Sequence, residues 1–299
     1  MSSAWIEGLR SVSLDVPDLR KAIDFYTRTW HLAVAAQDAD AVYLRGTGSD
    51  HHLLALHAAD RLALRKITLR ARGASALTEI AAAVPAAGGR LLRPASAVEE
   101  PSGGTGLVLA DPDGRVYEVV HGDQRHADAG EQADRPIRLA HAVLNSRDVA
   151  ATQAFLERAL GFTLADRTRI MAFMNCDRDH HSLALGDADN DALNHIAFLM
   201  PDLESVMRGG GRMRDAGHAI EWGPGRHGPG NNAFNYFIGP FGEVIEYTAE
   251  VEQIDDSYKV GAPADWTWPP GRVDQWGISQ PPSPALKQAQ RQVFFAPFH

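Results

Sequence analysis

The chain contains itself twice. LRSVSLDVPDLRKAIDFYTRTW near the start resembles RLAHAVLNSRDVAATQAFLERALGF near the middle. HHLLALHAADRLALRKITL resembles HHSLALGDADNDALNHIAF, and DPDGRVYEVV resembles GPFGEVIEYT. The displacement is almost constant: 130 from Asp18 to Asp148, 129 from His52 to His181 and 128 from Glu118 to Glu246. Three blocks in one order at one displacement require a duplicated fold, so repeats constrain the chain before any local reading does. The pattern predicts two homologous domains, 5–122 and 136–250, within 299 residues. HGDQRHADAGEQADRP between them is polar and carries Gly and Pro, as a boundary does.

Each copy repeats one grammar. Val12, Leu14 and Val16 alternate with Ser11, Ser13 and Asp15, which predicts a strand. Asp18 is placed to cap a helix with apolar positions Leu19, Ala22, Ile23 and Tyr26. In the second copy Asp148 caps a helix carrying Val149, Phe155, Leu156 and Ala159, stopped by Gly161. MAFMNC, HSLAL and HIAFLM read as short strands. LESVMRGGGRMRDAG reads as a second helix weakened by its glycine run. Asp111-Pro112-Asp113-Gly114 and Gly239-Pro240-Phe241-Gly242 read as β-turns. The expected class is α+β: two domains, each of paired βαβββ modules. The segment 251–299 differs. It holds seven prolines and three of the six tryptophans (Trp266, Trp268, Trp276). Rings of that size need burial, so the tail is expected to wrap the second domain, cover a cavity or sit in a subunit contact.

Composition removes several function classes. Lys plus Arg is 29 against 38 Asp plus Glu, a formal charge of −9. A general nucleic-acid binder needs the opposite balance. The single cysteine, Cys176, excludes an internal disulfide and a cysteine-based zinc site. No stretch approaches the length of a membrane helix, and the N-terminus does not read as a secretory signal. The expectation is a soluble cytoplasmic protein with neither nucleic-acid nor membrane partners.

Histidine, with 13 copies, is the outlier. The second copy has His141, His195 and Glu246 where the first has Ser11, Lys66 and Glu118. Two imidazoles and a carboxylate on separate strands form the donor set of a facial triad, which leaves coordination positions open for substrate and oxygen. The helical H-E-x-x-H spacing of many zinc hydrolases is absent. One half therefore reads as working and the other as supporting. No catalysis is assigned to His51 and His52, and Glu118 reads as a relic or a structural residue. His121, His126 and His299 read as surface.

With RLAHAVLN, ALNHIAF and GEVIEYT in place, residues 1–250 resemble the type I extradiol ring-cleaving dioxygenases of the vicinal oxygen chelate superfamily, with its glyoxalase-like fold. The resemblance implies opening of a catechol by O2 at a mononuclear Fe(II), with Mn(II) as the alternative ion. It maps the metal ligands onto His141, His195 and Glu246. DRDHHSLAL resembles the strand of the family's acid–base histidine, which selects His181 with His180 as its neighbour. GPGRHGPGNNAFNYFIGPFGEVIEY resembles the signature before the glutamate, matching His227 and Tyr236 to the substrate-orienting histidine and tyrosine. Val143 and Phe173 match pocket-wall positions. Gly230 stands where some members carry aspartate. Val143 replaces a polar residue of members that take carboxylated catechols, which points to an apolar or aryl substituent. Arg226, beside His227, and Arg272, in the tail, are candidates to pair with a substrate carboxylate, since guanidinium binds carboxylates bidentately. The resemblance also implies a homo-oligomer. Two rivals remain: an O2-independent isomerase or lyase on the same scaffold, and a non-catalytic binder of an aromatic compound. Oxygen uptake separates the first, and loss of metal and turnover on replacing His195 separates the second.

Overall fold

In the computed structural model, which describes residues 3–298, the duplication becomes two sheets of the same plan. His299 lies outside the described residues. The first sheet holds β1 (Ile6–Val16), β2 (Ala33–Gln37), β3 (Ala41–Arg45), β4 (Leu54–Ala58), β5 (Ala63–Ala71), β6 (Arg90–Ala97), β7 (Thr105–Ala110) and β8 (Val116–His121). The second holds β9 (Arg138–Ser146), β10 (Thr163–Arg167), β11 (Met171–Asn175), β12 (Leu183–Asp187), β13 (Ala192–Leu199), β14 (Trp222–Arg226), β15 (Ala233–Ile238) and β16 (Val244–Ala249). The strand orders correspond one for one: β2-β3-β4-β1-β5-β8-β7-β6 and β10-β11-β12-β9-β13-β16-β15-β14. Each sheet is two βαβββ modules. Within a module the first and last strands pair in parallel. The modules join through their first strands, β1 against β5 and β9 against β13, which run antiparallel.

The helices form where the caps place them. The Asp18 carboxylate accepts from the Lys21 N–H, and that of Asp148 from the Ala151 N–H, both at 2.9 Å. α1 (Leu19–Asp24) and α3 (Val149–Leu160) follow, and α2 (Ala74–Ala86) lies between them in the chain. Gly161 ends α3 at φ 69, the left-handed conformation that glycine tolerates. One expectation is corrected: the α-helix stops at Asp24, and Phe25–Thr29 is a π-helical turn. Its wider winding, closed by Trp30 N–H to Phe25 O, turns Tyr26 and Trp30 inward. Both cross to the second half. The Tyr26 hydroxyl donates to Glu243 at 2.6 Å, and Trp30 stacks on Tyr247 with ring centres 3.6 Å apart.

The helix expected over LESVMRGGGRMRDAG is present. The glycine run does not interrupt α4 (Leu203–Asp215), which forms in full. A Cβ on Gly209 would lie 2.7 Å from the Tyr247 ring, and one on Gly210 2.8 Å from the Asn235 amide. The glycines lower helix propensity and in exchange let the helix approach the sheet.

The tail runs back over the second sheet. It bridges at Gln253 to Asp179 and at Gly261 to Asp166. It then forms α5 (Pro284–Ala289), and β17 (Val293–Phe294) pairs with β13. Among the described residues no helix is long and apolar enough to cross a membrane.

Candidate metal centre and its cavity

Strand register builds the site. His141 on β9 lies opposite Ala197 on β13, Ala197 opposite Glu246 on β16, Glu246 opposite Tyr236 on β15, and Tyr236 opposite Trp222 on β14. Side chains directly opposite one another in neighbouring strands share a face, so His141, Glu246, Tyr236 and Trp222 stand in one row across the sheet. His195 is two residues from Ala197 and shares the face. Ala197 is small, and the longer side chains on either side meet above it.

The three expected ligands converge. The Nε2 atoms of His141 and His195 lie 3.2 and 3.1 Å from Glu246 Oε2, and 3.4 Å from each other. Donors at about 2.1 Å from a shared ion at right angles to one another stand about 3 Å apart. The separations fit a single divalent ion bound through one face. The donor set suits Fe(II), Mn(II) or Zn(II). All three side chains are buried. Burial alone would raise the pKa of Glu246, but His141 and His195 outweigh it and hold the carboxyl well below its usual range. Burial lowers the pKa of His195 despite the opposing pull of Glu246, which keeps the imidazole neutral and its lone pair free.

The other expected residues surround the triad. The His181 ring lies over His141, with centres 4.4 Å apart. Burial, followed by the neighbouring histidines, pushes its pKa well down. His227 follows β14 directly, and its Nε2 is 3.0 Å from the Tyr236 hydroxyl. Burial is the main cause that brings His227 to about 4. The same cause, reinforced by Glu246, raises Tyr236 well above the ordinary phenol value. Val143 and Phe173 pack together with Ala184 on the cavity wall. The cavity, about 830 Å³, opens between these groups and the tail, which contributes Trp266, Trp268 and Lys287.

Some candidates fall elsewhere. Arg226 pairs with Glu250 and lies over Trp276, and neither it nor Arg272 lines the cavity. His121 and His126 are both half-buried, and His126 stacks on His51, so the surface reading of the two is corrected. Three polar residues went unread in the sequence. The Nδ1–H of His195 donates to the Asn194 side-chain oxygen at 2.8 Å. Asn194 in turn donates to Asn145 at 2.9 Å. Asp166 is fully buried against His180. Asn194 had a signal, its position next to a ligand. Asp166, fifteen residues before His181, had none.

A duplicated pair of βαβββ sheets with a two-histidine, one-carboxylate centre in one of them defines a class of metalloprotein, and the comparisons agree with it. Residues 138–247 match the Glyoxalase/Bleomycin resistance protein/Dioxygenase superfamily, and 11–120 match a Glyoxalase-like domain. Metapyrocatechase 2 from Cupriavidus necator is 32% identical over 218 residues, 62% of this chain and 66% of that protein, just under two thirds of its length. The Mn(II)-bound glyoxalase from Novosphingobium aromaticivorans superposes with a TM-score of 0.86 at 32% identity, covering 100% of this chain and 96% of that one. A variant of homoprotocatechuate 2,3-dioxygenase from B. fuscum superposes with a TM-score of 0.83 at 24% identity, over 92% and 80%, which establishes the shared fold. The chain belongs to the glyoxalase/bleomycin resistance protein/dioxygenase superfamily, also called the vicinal oxygen chelate superfamily.

Proposed function

We propose that the protein is an extradiol dioxygenase. It would open a catechol ring beside its two hydroxyls and place both atoms of O2 in the ring-opened product. The observation that carries this reading is the convergence of His141, His195 and Glu246 within 3.4 Å beside a cavity that also holds His181, His227 and Tyr236. His141, His195 and Glu246 would hold Fe(II), with Mn(II) as the alternative. A divalent ion held there would supply Lewis-acid and redox activation of the catechol and O2.

The side chains supply the rest. His181 is neutral near pH 7, because burial lowers its pKa, and serves as acceptor for a substrate hydroxyl proton. Tyr236 stays a protonated donor, because burial raises its pKa, and with His227 it orients the substrate oxygens. Val143, Phe173, Ile170, Trp222, Trp266 and Trp268 line the cavity with apolar and aromatic surface. That surface suits an alkyl or aryl substituent, and Arg169, Lys287 and Arg291 line the same cavity.

The full-length likeness to a Mn(II)-bound glyoxalase favours a second reading, an O2-independent isomerase or lyase. One experiment separates them. Protein purified anaerobically and loaded with Fe(II) or Mn(II) is mixed with a catechol panel in an oxygen electrode. Stoichiometric O2 uptake with a yellow product supports the dioxygenase. Turnover of a dicarbonyl or hydroxy-carbonyl substrate without O2 uptake supports the second reading. Metal binding with no O2 uptake across the panel overturns the first.

A further inference from the structure

We infer that Asp166 and His180 form a positioning pair that decides which nitrogen of His181 carries hydrogen, and so makes the cavity-facing nitrogen a proton acceptor. This deepens the proposed reading of the site and rests on His181 acting there. Four observations converge on it.

First, Asp166 on β10 is fully buried and surrounded by donors. Its Oδ2 lies 2.8 Å from His180 Nε2 and accepts from the Tyr258 hydroxyl at 3.0 Å, while Oδ1 accepts the Gly261 N–H at 2.6 Å. A carboxylate only accepts, so the hydrogen in the bond to His180 sits on Nε2 of that ring.

Second, His180 Nδ1 and His181 Nδ1 are 3.0 Å apart. A neutral imidazole with hydrogen on Nε2 offers a bare Nδ1. His180 Nδ1 therefore accepts, and His181 Nδ1–H donates. That leaves the lone pair of His181 on Nε2, an atom with no hydrogen-bond partner among the described residues, on a ring that lines the cavity.

Third, the tail holds the carboxylate in place. Tyr258 and Gly261 both come from it, and a Cβ at Gly261 would lie 2.6 Å from Asp166 Oδ1. Only a residue without a side chain lets its N–H approach so closely.

Fourth, the half without the metal ligands keeps the histidine pair but has no acid at the place of Asp166; its carboxylate, Glu100, meets the second histidine, His52, at 3.5 Å instead. His51 Nδ1 and His52 Nδ1 are also 3.0 Å apart. Asp166 faces Phe173 across its sheet, and the residue that faces the equivalent Tyr43 is Ala36. Only in the half with the metal ligands does a buried carboxylate sit on the outer nitrogen of the first histidine of the pair, where it sets the ring's tautomer.

The arrangement follows the logic of an acid–histidine pair in which a buried carboxylate sets the tautomer of a general base, here with one more ring between them. Exchanging such a carboxylate for its amide keeps the shape and reverses the tautomer. In Asp166→Asn the amide NH2 facing His180 would donate. His180 would then carry its hydrogen on Nδ1, and His181 would carry its hydrogen on Nε2, facing the cavity.

Nitrogen-15 NMR of the ring nitrogens reads this directly, on the full chain, metal-free and zinc-loaded. The expected wild-type result is hydrogen on Nε2 of His180 and on Nδ1 of His181. Hydrogen on His181 Nε2, or on both nitrogens of His180, overturns the inference. Asp166→Asn is expected to move the His181 hydrogen to Nε2 and to cut kcat about 10²–10⁴-fold, with KM and metal content within about threefold. An Asp166→Asn protein with wild-type tautomers and wild-type kcat also overturns it. The wild-type spectrum needs no variant to fold and no turnover. If it shows the expected hydrogens while no catechol is cleaved, the dioxygenase reading fails and the pairing stands.

Discussion

Lys66 donates to Glu118 at 2.7 Å in the first half, at the place where His195 faces Glu246 at 3.1 Å in the second. The two rows correspond residue by residue. Ser11, Thr68, Glu118, Val108 and Arg93 stand where His141, Ala197, Glu246, Tyr236 and Trp222 stand. The buried glutamate is retained, and its counter-charge comes from Lys66 and Arg93 instead of a metal ion. Lys66 also pairs with Glu100 at 2.6 Å. The supporting half thus carries its own cation on a side chain.

Removing that cation leaves Glu100 and Glu118 without their shared partner on the wall of a cavity of about 900 Å³. Lys66→Met is expected to cost about 3 kcal/mol of unfolding free energy, the range seen when one partner of a buried pair is deleted. Burial would raise the pKa of Glu100, and it is held down by His52 and Lys66. Without Lys66 it rises, and protonation relieves the repulsion. The loss should therefore be larger at pH 8 than at pH 5 in urea unfolding. A deficit that does not change between the two pH values would show that Glu118 is satisfied by Arg93 alone.

The bond from His195 to Asn194 fixes the ligand ring with Nδ1–H outward and Nε2 toward Glu246. Losing such an orienting partner weakens metal binding about 10–100-fold. Asn194→Ala is expected within that range in chelator competition, and His195→Ala beyond it. Equal affinities for wild type and Asn194→Ala would mean that packing, not the hydrogen bond, orients the ring.

Gly209→Ala tests the close approach of α4 to β16. Helix propensity favours alanine by about 1 kcal/mol. The added methyl would stand 2.7 Å from a Tyr247 ring that is stacked on Trp30 and hydrogen-bonded to the Trp30 carbonyl and Arg212. The ring has nowhere to yield, and overpacking of this kind costs about 1–3 kcal/mol. A net loss of stability is expected in thermal unfolding. A gain would show that the helix can shift outward.

The duplication carried most of the fold, because an offset shared by three blocks fixes module order without any propensity argument. The ligand set was legible for the same reason: His141 and His195 stand out against Ser11 and Lys66 of the same chain. What was not legible depends on contacts between distant segments. The π turn at Phe25–Thr29 exists because Tyr26 and Trp30 have partners, Glu243 and Tyr247, more than 200 residues away. The glycine run of α4 looks like a defect until the Tyr247 ring is placed beside it. Asp166 belongs to His180 only through sheet pairing and the returning tail. The tail has no period of its own, so its path is set by the surface it covers.

Buried neutral histidines make acid stability the last testable consequence. In the metal-free protein burial lowers His52 to about 3, His57 to about 4 and His227 to about 4, against an ordinary value of 6.5. Below 6.5 the unfolded chain binds protons at these sites that the folded chain does not, so unfolding free energy rises with pH across the window between the two values. The stabilisation is complete above 6.5 and lost as pH falls toward 4, on the order of 3 kcal/mol for each histidine. Asp177, raised by burial to about 6, acts in the opposite sense over part of the window and offsets one of the three. Calorimetry of the metal-free protein should show Tm falling from pH 7 to pH 4.5. His57→Gln should shrink that fall, because the substituted side chain does not titrate. If His57→Gln and wild type lose the same number of degrees over that interval, His57 is not held neutral by the fold and the acid sensitivity has another source.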